Sequence, residues 1–230
     1  MVGISVTEPL KVGCEMLLSM FPGPLLGRLA VRKLTAASFV ALALLAAPAS
    51  AQTAGKPEEW LQSLSLEAQG ALVRVDRESV QSRAAFAALV ERNFALDVIG
   101  QYVLSASWEA TSTIDRERFR ILFKSYIVQT YAARMNDLTG RFEIKGAKPF
   151  GKRDILVNMV ARIIPGLSRQ VDWRIRELEG RYRVLDIYID GLSMALILHD
   201  EFTAAVKLHG FEGLMTILDE KVQFLIAENE

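Results

Sequence analysis

The chain has 230 residues, about half of them hydrophobic, with 27 Lys and Arg against 27 Asp and Glu and a single cysteine. Balanced charge is no footprint of a nucleic-acid binder, and one cysteine excludes a disulfide framework. The length admits one domain, or one domain with a small annex.

The first 51 residues separate from the rest. Arg32-Lys33 is a short basic region, "AASFVALALLAA" (36–47) is an apolar run too short to span a bilayer, and Ala49-Ser50-Ala51 is an A-x-A cleavage site. This order predicts a secretory signal peptide cleaved after Ala51. Residues 1–30 fit no part of such a signal, so translation is expected to start later; Val31 would begin a signal of ordinary length. The exported domain is then 52–230. Four basic and two acidic residues lie in 1–51, which leaves 23 and 25, a net charge of −2. Cys14 is lost with the leader, so in an oxidising compartment the domain is held by its core alone. A domain of ~150 residues buries roughly 70% of its unfolded surface, which is enough. No lipobox cysteine lies near the cleavage site, and a periplasmic location is expected.

"AQTAGKP" (51–57) is a flexible start. Trp60, Leu61 and Leu64 mark a short amphipathic helix, and 75–94 continues helical with Val80, Phe86, Leu89 and Val90 on one side. "ALDVIGQYVLSASW" (95–108) is apolar on most sides, as expected of a helix buried on more than one face. Ser112-Thr113 with Asp115 offers an N-cap to a long helix over 114–138, with Phe119, Leu122, Phe123, Tyr126, Ile127, Thr130, Tyr131 and Leu138 at three- and four-residue steps and Gly140 at its end.

The period then changes to two. "RFEIKGA" (141–147) is a short strand. The stretch 154–164 alternates through Ile155, Val157, Met159, Ala161 and Ile163, and Pro165-Gly166 turns the chain. In 169–178, Val171, Trp173 and Ile175 alternate with Gln170, Asp172, Arg174 and Arg176. Glu179-Gly180 turns again into 181–190, completing an antiparallel meander. Helices resume at 192–208 and 211–226, divided at Gly210. Helices, sheet and helices in this order predict an α+β fold. The apolar excess of the helical half serves either a core or a cavity, and composition does not separate the two.

Gly191-Leu192-Ser193-Met194-Ala195 is one residue short of the G-x-S-x-G nucleophile elbow. That elbow needs a parallel sheet, with an acid and a histidine on later strands; here the strand closes a meander. His199 is six positions on, ~600° around a helix, and points away from Ser193. Ser193 is therefore expected to cap the following helix, with Gly191 permitting the bend. His199 and His209 have no cysteine to help them hold a metal. Asp186 and Asp190 could be the acid/base pair of a cone-shaped α+β pocket; alternatively they pair with Arg174, Arg176, Arg181 or Arg183. No glycine-rich phosphate loop is present.

"NFALDVIGQYVLSASWEATSTIDRERFRILFKSYIVQTYAARM" (93–135) resembles a segment of the periplasmic Mla-type phospholipid-binding proteins, the toluene-tolerance family. The run from Tyr182 through Asp186, Gly191 and Ser193 to Gly210, Gly213 and Leu214 resembles that family's second signature. The two stretches cover most of residues 90–220 in the correct order. The chain departs at Ser105-Ala106-Ser107, where the family often has Gly-Arg. The resemblance implies a lipid carrier without cofactor, the bound lipid being cargo. It also implies as partners an inner-membrane ABC transporter complex and an outer-membrane lipoprotein complex, between which phospholipid is shuttled. A related hopanoid-associated branch leaves the lipid class open. On this view the N- and C-terminal helices pack on the meander around an apolar cavity. Phe94, Val98, Tyr102, Val103, Phe119, Phe123, Tyr126 and Met135 are its expected helical wall. Val157, Met159, Val171, Trp173 and Ile175 are the sheet wall, with Met194 beside them. The rivals are a cone-pocket enzyme using Asp186 or Asp190 and an interaction module with a solid core.

Overall fold

The computed structural model describes residues 55–73, 80–135, 142–164 and 167–228. The upstream extension and signal peptide lie outside them, as does Gly140. Five helices come first: α1 (Pro57–Val73), α2 (Val80–Asn93), α3 (Leu96–Leu104), the single-turn α4 (Ala106–Ala110) and the long α5 (Thr113–Met135). A sheet follows in the order β1 (Phe142–Phe150), β2 (Asp154–Ile164), β3 (Leu167–Leu178), β4 (Arg181–Ile189) and the two-residue β5 (Leu192–Ser193), every neighbouring pair antiparallel. α6 (Met194–Glu228) closes the chain. The fold is α+β, as the change of period indicates.

Three local features differ from the sequence reading. The apolar stretch 95–108 is not one helix: Ser105 adopts φ 50°, ψ −128°, ends α3 and starts α4. β1 is longer than "RFEIKGA" because the strand continues through Lys148-Pro149-Phe150. Pro149 is tolerated there because β1 is an edge strand, where a missing N–H costs no ladder bond. The last helix begins at 194 rather than 192, because Leu192 and Ser193 first pair with Ile189 and Tyr188. Asp190 and Gly191 between them both have positive φ (49° and 85°), the two-residue hairpin that Asp-Gly favours.

The expected cap of α5 is present. Asp115 N–H donates to Ser112 Oγ at 3.1 Å, and that hydroxyl donates to Asp115 Oδ2 at 2.7 Å. Within α6, Gly210 has φ 72° and ψ 177°, a conformation open essentially to glycine alone, and the helix axis breaks there. The break brings the backbone so close that a Cβ on Gly213 would stand 2.3 Å from that of His209.

Among the described residues the interior is packed as two main blocks and a small cluster of Ile189 and Met194. One is helical: Phe119 and Phe123 stack at 5.4 Å, and Phe202 of α6 meets both edge-on, at 6.0 and 5.9 Å, with Tyr126 at 6.4 Å. The other joins α1 to the sheet through Leu61, Leu64, Val157, Met159, Ile175 and Val184. Phe94 packs against both, and the chain is pinned there by Ala95 N–H donating to Val184 O at 3.0 Å.

The opposite face of the sheet is less solvated than its polar residues suggest. Asp154 and Asp172 are each only 6% exposed. Asp154 Oδ2 accepts from Arg174 Nε at 2.6 Å and its Oδ1 from Arg176 Nε at 2.5 Å. The Arg174 guanidinium also lies over the Phe150 ring, 5.3 Å from its centroid. Long arginine stems thus roof Asp154.

Candidate binding cavity

A cavity lies between the two blocks. About 150 Å³ of it admits the centre of a water-sized sphere, and the surrounding unfilled space, including the part open to solvent, totals about 1350 Å³. A single water needs only ~10–15 Å³ on the first measure. Of 22 lining residues, Ser65 and Asp186 alone are polar. Each wall is the apolar stripe of an amphipathic element. α1 contributes Leu64 and Ala68, α2 Phe86, Leu89 and Val90, α3 Leu96 and Ile99, and α5 Phe123 and Ile127. The sheet contributes Phe142, Met159, Val171, Trp173, Ile187 and Ile189, and the first turns of α6 Met194, Ala195 and Leu198. Genuinely empty cavities in proteins have apolar walls of this kind.

Of the residues expected to form the walls, Phe94, Phe123, Met159, Val171, Trp173 and Met194 line the cavity. Val103, Phe119, Tyr126, Val157 and Ile175 do not; they are almost wholly buried in the flanking blocks. Val98 and Tyr102 stand on the outer face of α3, 37% and 47% exposed, and the Tyr102 ring packs on His199 at 5.2 Å. A helix apolar on most sides gives periodicity no reason to prefer the Val98–Tyr102 face over Leu96–Ile99. Met135 ends α5, and its side chain lies outside the described residues.

The stripes of α1 and α2 are one part of the wall not assigned from sequence; Leu96 and Ile99 of α3, Phe142 of β1 and Ile187 and Ile189 of β4 are others. The signal was present, since Leu64, Phe86, Leu89 and Val90 recur at helical spacing. What it lacked was any indication that these stripes meet the sheet rather than each other.

The polar residues near the cavity have structural duties. Asp186 Oδ1 accepts the backbone N–H of Ile187 at 2.8 Å and of Ala195 at 2.9 Å, and its Oδ2 accepts the Ser193 hydroxyl at 2.6 Å. Ser193 Oγ in turn accepts the Leu196 N–H at 3.0 Å. Carboxylate and hydroxyl together cap the N-terminus of α6, where negative charge is favoured. Ser193 is the helix cap that its sequence position suggests. Asp190 bonds Arg169 Nη1 at 2.9 Å and the Gln170 N–H at 3.0 Å. His199 Nδ1 lies 3.0 Å from Asp200 Oδ1. Among the described residues no three His, Cys, Asp or Glu side chains are grouped to hold a metal ion, and no helix is long and apolar enough to cross a membrane.

Two groups on the polar face of the sheet have shifted acidity. Burial pushes the Tyr188 hydroxyl up, and the Asp186 carboxylate beside it acts in the same direction against Arg174. Burial also opposes ionisation of Asp154, but the hydrogen bonds of Arg176 and Arg174 outweigh it and hold that carboxyl below its ordinary value.

The fold is shared with a known structure. The phospholipid-binding protein from Ralstonia solanacearum, solved in complex with a phospholipid, matches with a TM-score of 0.67 at 17% identity, over 74% of this chain and 99% of that one. Residues 71–220 match the MlaC protein family. That span covers most of the chain and holds most of the cavity wall, both signature stretches and the Asp186–Ser193 cap, and the chain belongs to the MlaC family.

Proposed function

We propose that this protein binds the acyl chains of a phospholipid in its cavity and carries the lipid between outer and inner membranes across the periplasm. The observation that carries this reading is the cavity itself, a void between two solid blocks whose wall is apolar at all but two residues. Two acyl chains carry roughly 30 methylenes at ~0.8 kcal/mol each, so a bare lipid in water faces a cost of order 20 kcal/mol. A carrier offsets that cost only with a dry slot nearly free of unpaired polar groups. The lipid-bound Ralstonia solanacearum protein of the same fold supports the reading. The role is binding rather than catalysis, because Ser193, Asp186 and Asp190 spend their hydrogen bonds on the helix cap and the hairpin. Export by the signal peptide with cleavage after Ala51 is part of the proposal. So is exchange with an inner-membrane ABC transporter complex and an outer-membrane lipoprotein complex.

Mass spectrometry of organic extracts from the purified protein tests it. A glycerophospholipid at about one per chain is the expected result. A hopanoid in its place would move the protein to the sister branch. Protein that co-purifies without lipid and takes none up from vesicles would end the reading.

A further inference from the structure

The cavity wall offers no place for a charged headgroup, and the nearest ionisable groups differ in what they can accept. Asp186 is negative, and its oxygens are already taken by Ser193, Ile187 and Ala195. Arg169 is different. Along β3 it lies two residues before Val171, so it falls on the same face of the sheet, ~7 Å further along the strand. Val171 lines the cavity. Across the sheet Arg169 pairs with Ala161, which pairs with Phe142, another lining residue. Arg169 therefore stands on the inner face of the sheet, one step beyond the lining residues Val171 and Phe142.

Only part of the Arg169 fork is used. Nη1 donates to Asp190 Oδ2 at 2.9 Å, while Nε is buried with no hydrogen-bond partner among the described residues. The side chain keeps 29% of its surface exposed. Asp190 is held in place by its second oxygen, which accepts the Gln170 N–H at 3.0 Å. The Nη1 nitrogen is thus anchored, and Nε, on the Nε–Nη2 edge, is left beneath the surface without an acceptor. That edge is the side of a guanidinium that takes a phosphate through two parallel N–H···O bonds. An unmet donor in this position costs free energy until an acceptor arrives.

We infer that Arg169 is the headgroup-recognition residue of the cavity, receiving the phosphodiester of a lipid whose chains lie against Val171, Met159 and Phe142. The inference rests on the reading of the cavity as an acyl-chain slot. It assigns specificity to phosphate at the end of that slot, with Asp190 as the residue that positions the arginine.

The test compares two ligands with identical chains, dipalmitoyl phosphatidylglycerol and dipalmitoyl glycerol, by displacement of a chain-labelled fluorescent lipid from delipidated protein. The wild type should prefer the phospholipid by roughly tenfold or more, the effect of a charge-assisted two-point contact. Arg169→Gln should bind dipalmitoyl glycerol as the wild type does, which shows an intact slot, and lose the preference. Arg169→Lys should recover only part of it. Inorganic phosphate and glycerophosphate should compete at neither protein. A preference that survives in Arg169→Gln overturns the inference and leaves the acyl slot standing. Competition by inorganic phosphate that depends on Arg169 makes the site one for free anions, and also overturns it. Failure of the wild type to bind either lipid removes both the inference and the function on which it rests.

Discussion

The Ser193 hydroxyl donates to Asp186 at 2.6 Å while accepting the Leu196 N–H at 3.0 Å. One side chain thus joins the last full strand to the first turn of the last helix. The serine of a near-elbow motif is a mechanical part. Ser193→Ala should cost about 1 kcal/mol, the usual worth of a helix cap. Asp186→Ala should cost about 3 kcal/mol, because it strands the Ala195 N–H in the interior. Denaturant titration of the two variants measures both, and lipid uptake by Ser193→Ala should be unchanged.

Ser105 holds φ 50°, ψ −128° between α3 and α4, a region that penalises any residue with a Cβ. Ser105→Gly should therefore stabilise the protein by about 1 kcal/mol. A rise of a few degrees in the thermal midpoint is the expected outcome; a fall would show that the serine side chain contributes more than its backbone strain costs.

Asp154 gives the fold a sign-defined response to acid. Its carboxyl titrates below the ordinary 3.8 in the folded protein, as the two arginine bonds overcome its burial. Such a group contributes stability fully above the unfolded value, and the contribution disappears as pH falls through the lower folded one. Wild type should exceed Asp154→Asn in unfolding free energy at pH 7, and the gap should narrow as the pH is lowered from 3.8 through the folded value. A gap that is constant across that range would refute the assignment.

The void and the blocks respond oppositely to changes in volume. Ala68 lines the cavity, so Ala68→Phe should place its ring in empty space. Lipid occupancy should fall at least tenfold, with an effect on stability below the ~1–3 kcal/mol typical of an overpacked core. Phe202 is fully buried among Phe119, Phe123 and Tyr126, and Phe202→Ala should cost ~3–5 kcal/mol. Lipid extraction paired with chemical denaturation distinguishes the two sites.

Tryptophan emission reports on the same void. Of the three tryptophans, Trp173 lines the cavity, Trp60 packs edge-on to Tyr182 and Trp108 lies under Arg116. Lipid loading should change the emission of the wild type, of Trp60→Phe and of Trp108→Phe, and should leave Trp173→Phe silent.

Legibility in the sequence followed the strength of local patterning. Val171, Trp173 and Ile175 alternate so sharply with charged neighbours that β3 and its inner face could be read directly, and two of the three line the cavity. On α3 the same method had no purchase, because Leu96, Val98, Ile99 and Tyr102 surround the helix. Which of them turn inward is decided by α6 and β4, elements far away in the chain. The split at Ser105 was hidden for a related reason: nothing about a serine announces a positive φ. Asp154 and Asp172 lay on the polar side of the alternation, yet they are buried. Period-two reasoning assigns a face but does not say what roofs it.

Phe94 touches both packed blocks, and its strand of chain is tied to Val184. The molecule is thus built like a clasp, with two packed jaws joined at Phe94 and along α2, whose Val90 and Leu89 belong one to each. Each jaw draws its cohesion from its own side chains, so discharge of a guest removes contacts across the gap and leaves those within either jaw intact. For the carrier proposed above, unloading is thereby separated from denaturation.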